Sequence, residues 1–149
     1  MARYAATGLE NIVTTALTTA LHLTRGASRR ARIYDFIMGT SGTPSANVLR
    51  WVLQRFTVAP TSTAVTPTAL DPGDPASVTT AGENATVEGT QTAATELFDM
   101  GVNSRATMRW VAAPGGELVI PDTAANGIAA RVSSPAYVLQ ADVTLHFDE

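Results

Sequence analysis

The segment "LQADVTLHFDE" near the end of the chain constrains the fold more than any other feature. Leu139, Ala141, Val143, Leu145 and Phe147 alternate with Gln140, Asp142, Thr144 and His146. A period of two places every apolar side chain on one face of an extended strand and every polar one on the other, so one face must lie against a core. The same period runs through "NVLRWVLQRF", where Leu49, Trp51 and Leu53 share a face opposite Arg50 and Gln54. It returns in "NGIAARVSS", which groups Ile128, Ala130 and Val132. In "RIYDFIMG", Ile33, Asp35 and Ile37 oppose Tyr34, Phe36 and Met38, so apolar groups occupy both faces. That pattern fits a strand covered on both sides, by a second sheet and a neighbouring subunit.

Further strands follow from the turns. "TELFDMGVN" and "RATMRWVAA" read as an antiparallel pair joined through "VNSR", with Met108 and Trp110 pointing inward, and "APGGELVIP" supplies a Pro-Gly-Gly turn and a short strand. The beginning is ambiguous. Thr7 and Glu10 have capping-box spacing, and Leu9, Ile12, Val13, Ala16, Leu17, Ala20 and Leu21 follow a helical period. Leu17, Leu21 and Leu23 also lie on one side of an alternating strand, and Thr14, Thr15, Thr18 and Thr19 weaken a helix. The resulting expectation is an extended N-terminal arm over residues 1–14, with a short helical turn in it, and a strand over 15–24. With about eight short strands and no strong helix between them, residues 1–149 read as a single all-β domain, an antiparallel β-sandwich or jelly roll. Composition agrees, since Thr (22 residues) favours the half-buried pleated surface, and Ala (25 residues) supplies much of the apolar fraction.

Residues 61–95 break this pattern. They contain no aromatic residue, Ile, Met, Lys or Arg, and their larger apolar side chains are Val65, Leu70, Val78 and Val87. Pro60, Pro67, Pro72 and Pro75 restrict φ and remove donors. The stretch 60–95 therefore reads as an extended loop, with one marginal strand in "ENATVEGT". Two alternatives stand: an arm that clasps a neighbouring subunit, or a flexible surface insertion. On the arm reading its order depends on partners, and deleting residues 66–81 leaves the sandwich folded.

The residues present exclude several chemistries. There is no Cys, which removes disulfides, thiolate metal sites and thiol catalysis. There is no Lys, which removes the P-loop lysine and Schiff-base chemistry. A net charge of −3 argues against coating nucleic acid. No apolar run approaches the roughly 18 residues of a membrane span, and no signal peptide is evident, so a soluble protein made in a cytoplasm is expected. His22 and His146 sit on the polar sides of their strands with no Gly-x-Ser-x-Gly elbow nearby, and read as surface or interface residues. Asp71 and Asp74 in "LDPGDP" fall short of the oxygens a calcium ion requires and read as a turn. Asn84 is a glycosylation sequon by spelling only, and Glu10, Glu96 and Glu117 form no spaced pair for glycoside chemistry. Arg25, Arg29, Arg30 and Arg32 form the one charge cluster, open to a solvated turn, a protein contact or nucleic acid. No catalytic, cofactor-binding or metal-binding residue emerges. The candidate partner-binding residues are Arg3, Tyr4, Arg29, Arg30, Val65, Leu70 and Val78.

Three stretches carry a resemblance: "ASRRARIYDFIMGTSGTPSANVLRWVLQRFT", "TSTAVTPTALDPGDPAS", and "WVAAPGGELVIP" with "GIAARVSSPAYVLQADVTLHFDE". Together they resemble small β-sandwich structural proteins encoded among the head genes of tailed bacteriophages, similar in role to capsid decoration (cement) proteins. The resemblance covers the chain from about residue 16 onward and rests on texture rather than on catalytic motifs. It implies a non-enzymatic virion protein on the outer capsid surface, made in the host cytoplasm. Such a protein bridges subunits of the major capsid protein and assembles with itself, as a trimer, without direct nucleic acid or membrane contact. A head-completion or tail structural protein, and a carbohydrate-binding adhesion module, remain the alternatives.

Overall fold

The computed structural model describes residues 1–11, 13–135 and 140–149. Twelve strands and no helix occur among them, in two antiparallel sheets. In chain order the strands are β1 (Arg3–Glu10), β2 (Thr18–Thr24), β3 (Arg32–Ser41), β4 (Val48–Val58), β5 (Thr61–Val65) and β6 (Thr68–Ala69). They continue with β7 (Thr80–Val87), β8 (Thr90–Asn103), β9 (Met108–Val111), β10 (Leu118–Val119), β11 (Gly127–Ser133) and β12 (Gln140–Asp148). The first sheet runs β10-β3-β12-β1-β6, with β9 beside β10 on the same edge of β3. The second runs β5-β7-β2-β11-β4-β8.

The alternating segments bury the faces expected of them. Ala141, Val143, Leu145 and Phe147 on β12 meet Leu49, Trp51 and Leu53 on β4 and Ile128, Ala130 and Val132 on β11 in one core between the sheets. Leu139 lies outside the described residues. The two apolar faces of β3 have a local cause. His146 pairs with Asp35 but Phe147 pairs with Ile33, so one extra residue is accommodated between them. This bulge resets the alternation: Ile33, Phe36 and Met38 all point inward, while Tyr34 and Asp35 fall on the outer side.

Several sequence expectations fail here. The supposed arm over residues 1–14 contains β1, which pairs along its full length with β12 and buries Tyr4 and Ala6 completely. Of the residues that follow a helical period, only Leu9 lies in β1, where it pairs with Asp142 on β12. Gly8 is required by packing, because a Cβ there would come within 2.8 Å of the Glu83 Cβ in the opposite sheet. The strand after it begins at Thr18 rather than 15. The stretch 60–95 is not one loop: β5, β6, β7 and the start of β8 lie in it, joined to β7, β1, β2 and β4 of the same chain. The segments around Phe98 and Trp110 are not a hairpin, because β8 belongs to the second sheet and β9 to the first. A turn of four residues carries the chain across the sandwich. Trp51 is fully buried, but Trp110 is only half-buried, because β9 ends its sheet.

Candidate functional site

Three groups of polar side chains stand out. The first closes the end of the sandwich where β1, β6 and the turn after it meet. Tyr4 Oη donates to the Pro75 carbonyl at 2.9 Å, and Leu70 N donates to the Arg3 carbonyl at 2.8 Å. The Glu149 carboxylate accepts from Val78 N (2.8 Å), Thr79 N (3.2 Å) and Thr79 Oγ1 (2.7 Å). Burial raises the Tyr4 hydroxyl above its ordinary pKa, and the negative charges of Glu149 and Asp74 add to that. Asp71 Oδ1 accepts from Gly73 N at 2.9 Å, forming the turn expected of "LDPGDP". Above this floor Met1, Arg3, Leu70, Asp71 and Asp74 line a polar hollow of about 320 Å³.

Five of the seven candidate partner-binding residues gather around this end. Arg3 and Leu70 line the hollow, and Arg29 is close enough for its charge to act on Tyr4. Exposed Val78 packs its backbone on Gly26. Tyr4 itself is fully buried, so its role is to anchor the turn rather than to touch a partner. Arg30 lies elsewhere, its Nε donating to the Ile120 carbonyl at 2.9 Å, and Val65 is half-buried against the core on β5. The arginine run disperses: Arg25 pairs with Asp122 at 3.0 Å and Arg32 with Asp148 at 2.7 Å, while Arg30 donates to a carbonyl.

The second group lies on the outer face of the first sheet. The bulge tucks Asp35 under its neighbours, only 1% exposed, where it accepts two hydrogen bonds from Arg109 (2.9 and 2.7 Å). His146 Nδ1 stands 2.8 Å from the same carboxylate, and Tyr34 stacks on the imidazole. The hydrogen bonds from Arg109 hold the Asp35 carboxyl below the usual carboxylate range against the opposing effect of burial, with His146 contributing further. Beside this group Thr7 and Thr144, hydrogen-bonded to each other at 3.1 Å, flank a shallow hollow of about 190 Å³ over Ile37 and Gly39.

The third group is on the outer face of the second sheet. His22 expected at the surface is instead 6% exposed, wedged edge-on against Phe56. Its Nε2 lies 2.8 Å from Ser62 Oγ and its Nδ1 3.1 Å from Thr24 Oγ1. Burial without an acidic partner pushes its pKa down to about 4, so the ring is neutral at neutral pH. Gly82 makes room for this contact, since a Cβ there would sit 2.6 Å from His22 Nε2. Nearby, Glu88 accepts from Thr19 N and Oγ1, both at 2.7 Å, and pairs with Arg131 at 3.5 Å.

Chemically, the two histidines divide the parts of an acyl-transfer site between them. Among the described residues, the His146 ring is hydrogen-bonded to an acid and to no hydroxyl, whereas the His22 ring is hydrogen-bonded to hydroxyls and to no acid. They lie on opposite outer faces of the sandwich. Asp35, Arg109 and Ser62 were not singled out from sequence. The one signal for Asp35 was an acid on the apolar side of "RIYDFIMG", whose meaning depends on the bulge. No protein-family model, curated protein or solved structure matches the chain.

Proposed function

We propose that this chain is a non-enzymatic structural protein of a virion, a decoration protein on the outside of a tailed-phage head. On this reading it is made in the host cytoplasm, assembles with itself as a trimer, and bridges subunits of the major capsid protein without contacting nucleic acid or membrane. The two-sheet body is read as a jelly roll. The observation that carries the proposal is the end of the sandwich described first, where exposed Leu70 and Val78 stand beside Arg3, Asp71 and Asp74. The resemblance of the sequence texture to decoration proteins supplies the setting. The end of the sandwich around Arg3, Leu70, Arg29 and Val78 is the surface assigned to the coat, because it combines exposed apolar groups with both signs of charge.

The mechanism is mass action. A protein that binds the assembled shell and not its separated subunits stabilises the shell in proportion to its occupancy. The test is addition of the purified chain to expanded heads that lack it. Saturable binding, with a rise in the temperature at which the heads release DNA, is expected. Absence of binding overturns the proposal, and a copy number fitting a single ring points instead to the neck or tail.

A further inference from the structure

The two flanks of the sandwich are finished differently. On one flank, where β5 and β6 end the sheets, side chains seal the backbone. Glu83 Oε2 accepts from Leu9 N at 2.9 Å, Asn84 Oδ1 accepts from Asn11 N at 3.1 Å, and Glu149 covers the amides of Val78 and Thr79. On the other flank, among the described residues, β8 pairs with β4 alone, while β9 and β10 pair with β3 alone. Alternate residues on such edges turn N–H and C=O groups outward with no strand to receive them. Between these open edges the side chains are apolar and only half-buried: Leu97, Phe98 and Met100 on β8, Met108 and Trp110 on β9, and Leu118 on β10. Phe36, Phe98 and Trp110 form a row from the core to this surface, with ring centroids 5.5 and 6.2 Å apart. Aromatic and Met side chains between unpaired edges have the composition of an interface centre.

We propose that this flank is where copies of the chain meet, β8 of one copy lying against β9 of the next. The occupant follows from charge. The β8 strand carries Glu96 and Asp99 and no basic residue, whereas residues 104–111 carry Arg105 and Arg109 and no acid. Glu96 and Arg105 are exposed, and Asp99 and Arg109 keep 43% and 61% of their side chains exposed despite their partners Arg50 and Asp35. Pairing β8 with its own copy would set acids against acids, which is unfavourable across strands. Pairing it with β9 sets acids toward arginines, and a second copy brings both edges together with the apolar row between them. The proposal rests on the self-association in the reading above and is independent of attachment to heads.

An eight-residue run at about 3.3 Å per residue, across two sheets, buries on the order of 500 Å² per copy, at the low end of stable interfaces. An interface of that size belongs with weak associations, so the concentration range searched is on the order of micromolar. Sedimentation velocity from about 1 to 100 μM should show a monomer giving way to a defined oligomer. Amide exchange across residues 96–103 and 108–111 should slow at least tenfold over the same range, while β5 is unchanged. Acrylamide quenching reads Trp110, since Trp51 is buried, and should weaken as the oligomer forms. Met100→Arg should remain monomeric throughout. If that variant does not fold, Arg105→Glu, at an exposed turn position, should weaken association at low salt by about tenfold. A wild-type monomer at every concentration overturns the proposal, as does an oligomer whose protected amides lie on the β5–β6 flank. Loss of head binding with self-association intact overturns the decoration reading alone, and a monomer that still occupies heads overturns this proposal alone.

Discussion

Acidification should destabilise the fold through His22 in a pH window that lies mostly above the titration of the carboxylates. The ring is 6% exposed, is hydrogen-bonded to the Thr24 and Ser62 hydroxyls, and titrates at about 4 rather than 6.5. In the unfolded chain it takes up its proton near 6.5, so between those values the unfolded state binds more protons than the folded one. Stability therefore falls as pH falls through that window, at up to about 1.4 kcal/mol per pH unit, and the loss is complete below about 4. Above 6.5 the ring is neutral in both states and contributes no pH dependence. Between pH 7.5 and 4.5 the expected loss is about 2.5 kcal/mol. Asp35 and Asp99, whose pKa values are lowered by their Arg partners, begin to lose their contribution as pH falls through the ordinary aspartate value near 4 and lose the rest below it, so they enter only at the bottom of the window. Urea unfolding at both pH values gives the loss for the wild type, and the same measurement on His22→Gln gives the background. Gln retains a donor and an acceptor for Ser62 and Thr24 but does not titrate. A wild-type excess of less than about 0.5 kcal/mol over that background would refute the argument, by showing that water reaches the ring.

Three further outcomes follow from the fold. Trp51→Ala should cost about 3–5 kcal/mol in urea unfolding and Trp110→Ala about 1–2, because only the first leaves a cavity sealed by both sheets; equal losses would mean that β9 is not an edge. Glu149→Ala should cost about 1–3 kcal/mol and speed exchange of the Val78 and Thr79 amides, which lose their acceptor; unchanged exchange would show that water serves them equally well. Deleting residues 66–81 removes β6, the acceptor of the Tyr4 hydroxyl and the Thr79 contacts of Glu149, so no cooperative thermal transition should survive; a deletion that melts cooperatively would restore the stretch to the status of a detachable arm.

The division between legible and illegible features follows residue by residue. Leu49, Trp51 and Leu53, Ile128, Ala130 and Val132, and the run from Ala141 to Phe147 were legible because a period of two needs no knowledge of the partner strand. The stretch 60–95 was misread for the converse reason. Its strands have few large apolar side chains, and they are tied in by ladders and by the hydrogen bonds from Leu9 N to Glu83, Thr19 N to Glu88 and Val78 N to Glu149 rather than by side-chain burial. Its order therefore comes from hydrogen-bond partners some 70 residues away in the sequence, which no local window contains. Asp35 was invisible as a site for a related reason. A bulge of one residue decides which face it occupies, and it becomes a shared acceptor for Arg109 and His146 only after β9 and β12 have taken their places beside β3.

By itself, then, the sequence determined the class of the fold, because alternation, turn residues and the scarcity of helical period are local properties of the chain. It also removed thiol and lysine chemistry, since no fold can supply a side chain that is absent. Tertiary structure alone decided which edges were sealed and which were left open. It separated His22 and Ser62 from His146 and Asp35 on opposite faces. It also turned β1 from an apparent arm into an interior strand between β12 and β6. These outcomes depend on which strands become neighbours, and that choice is made by burying all the apolar faces at once rather than by any one segment.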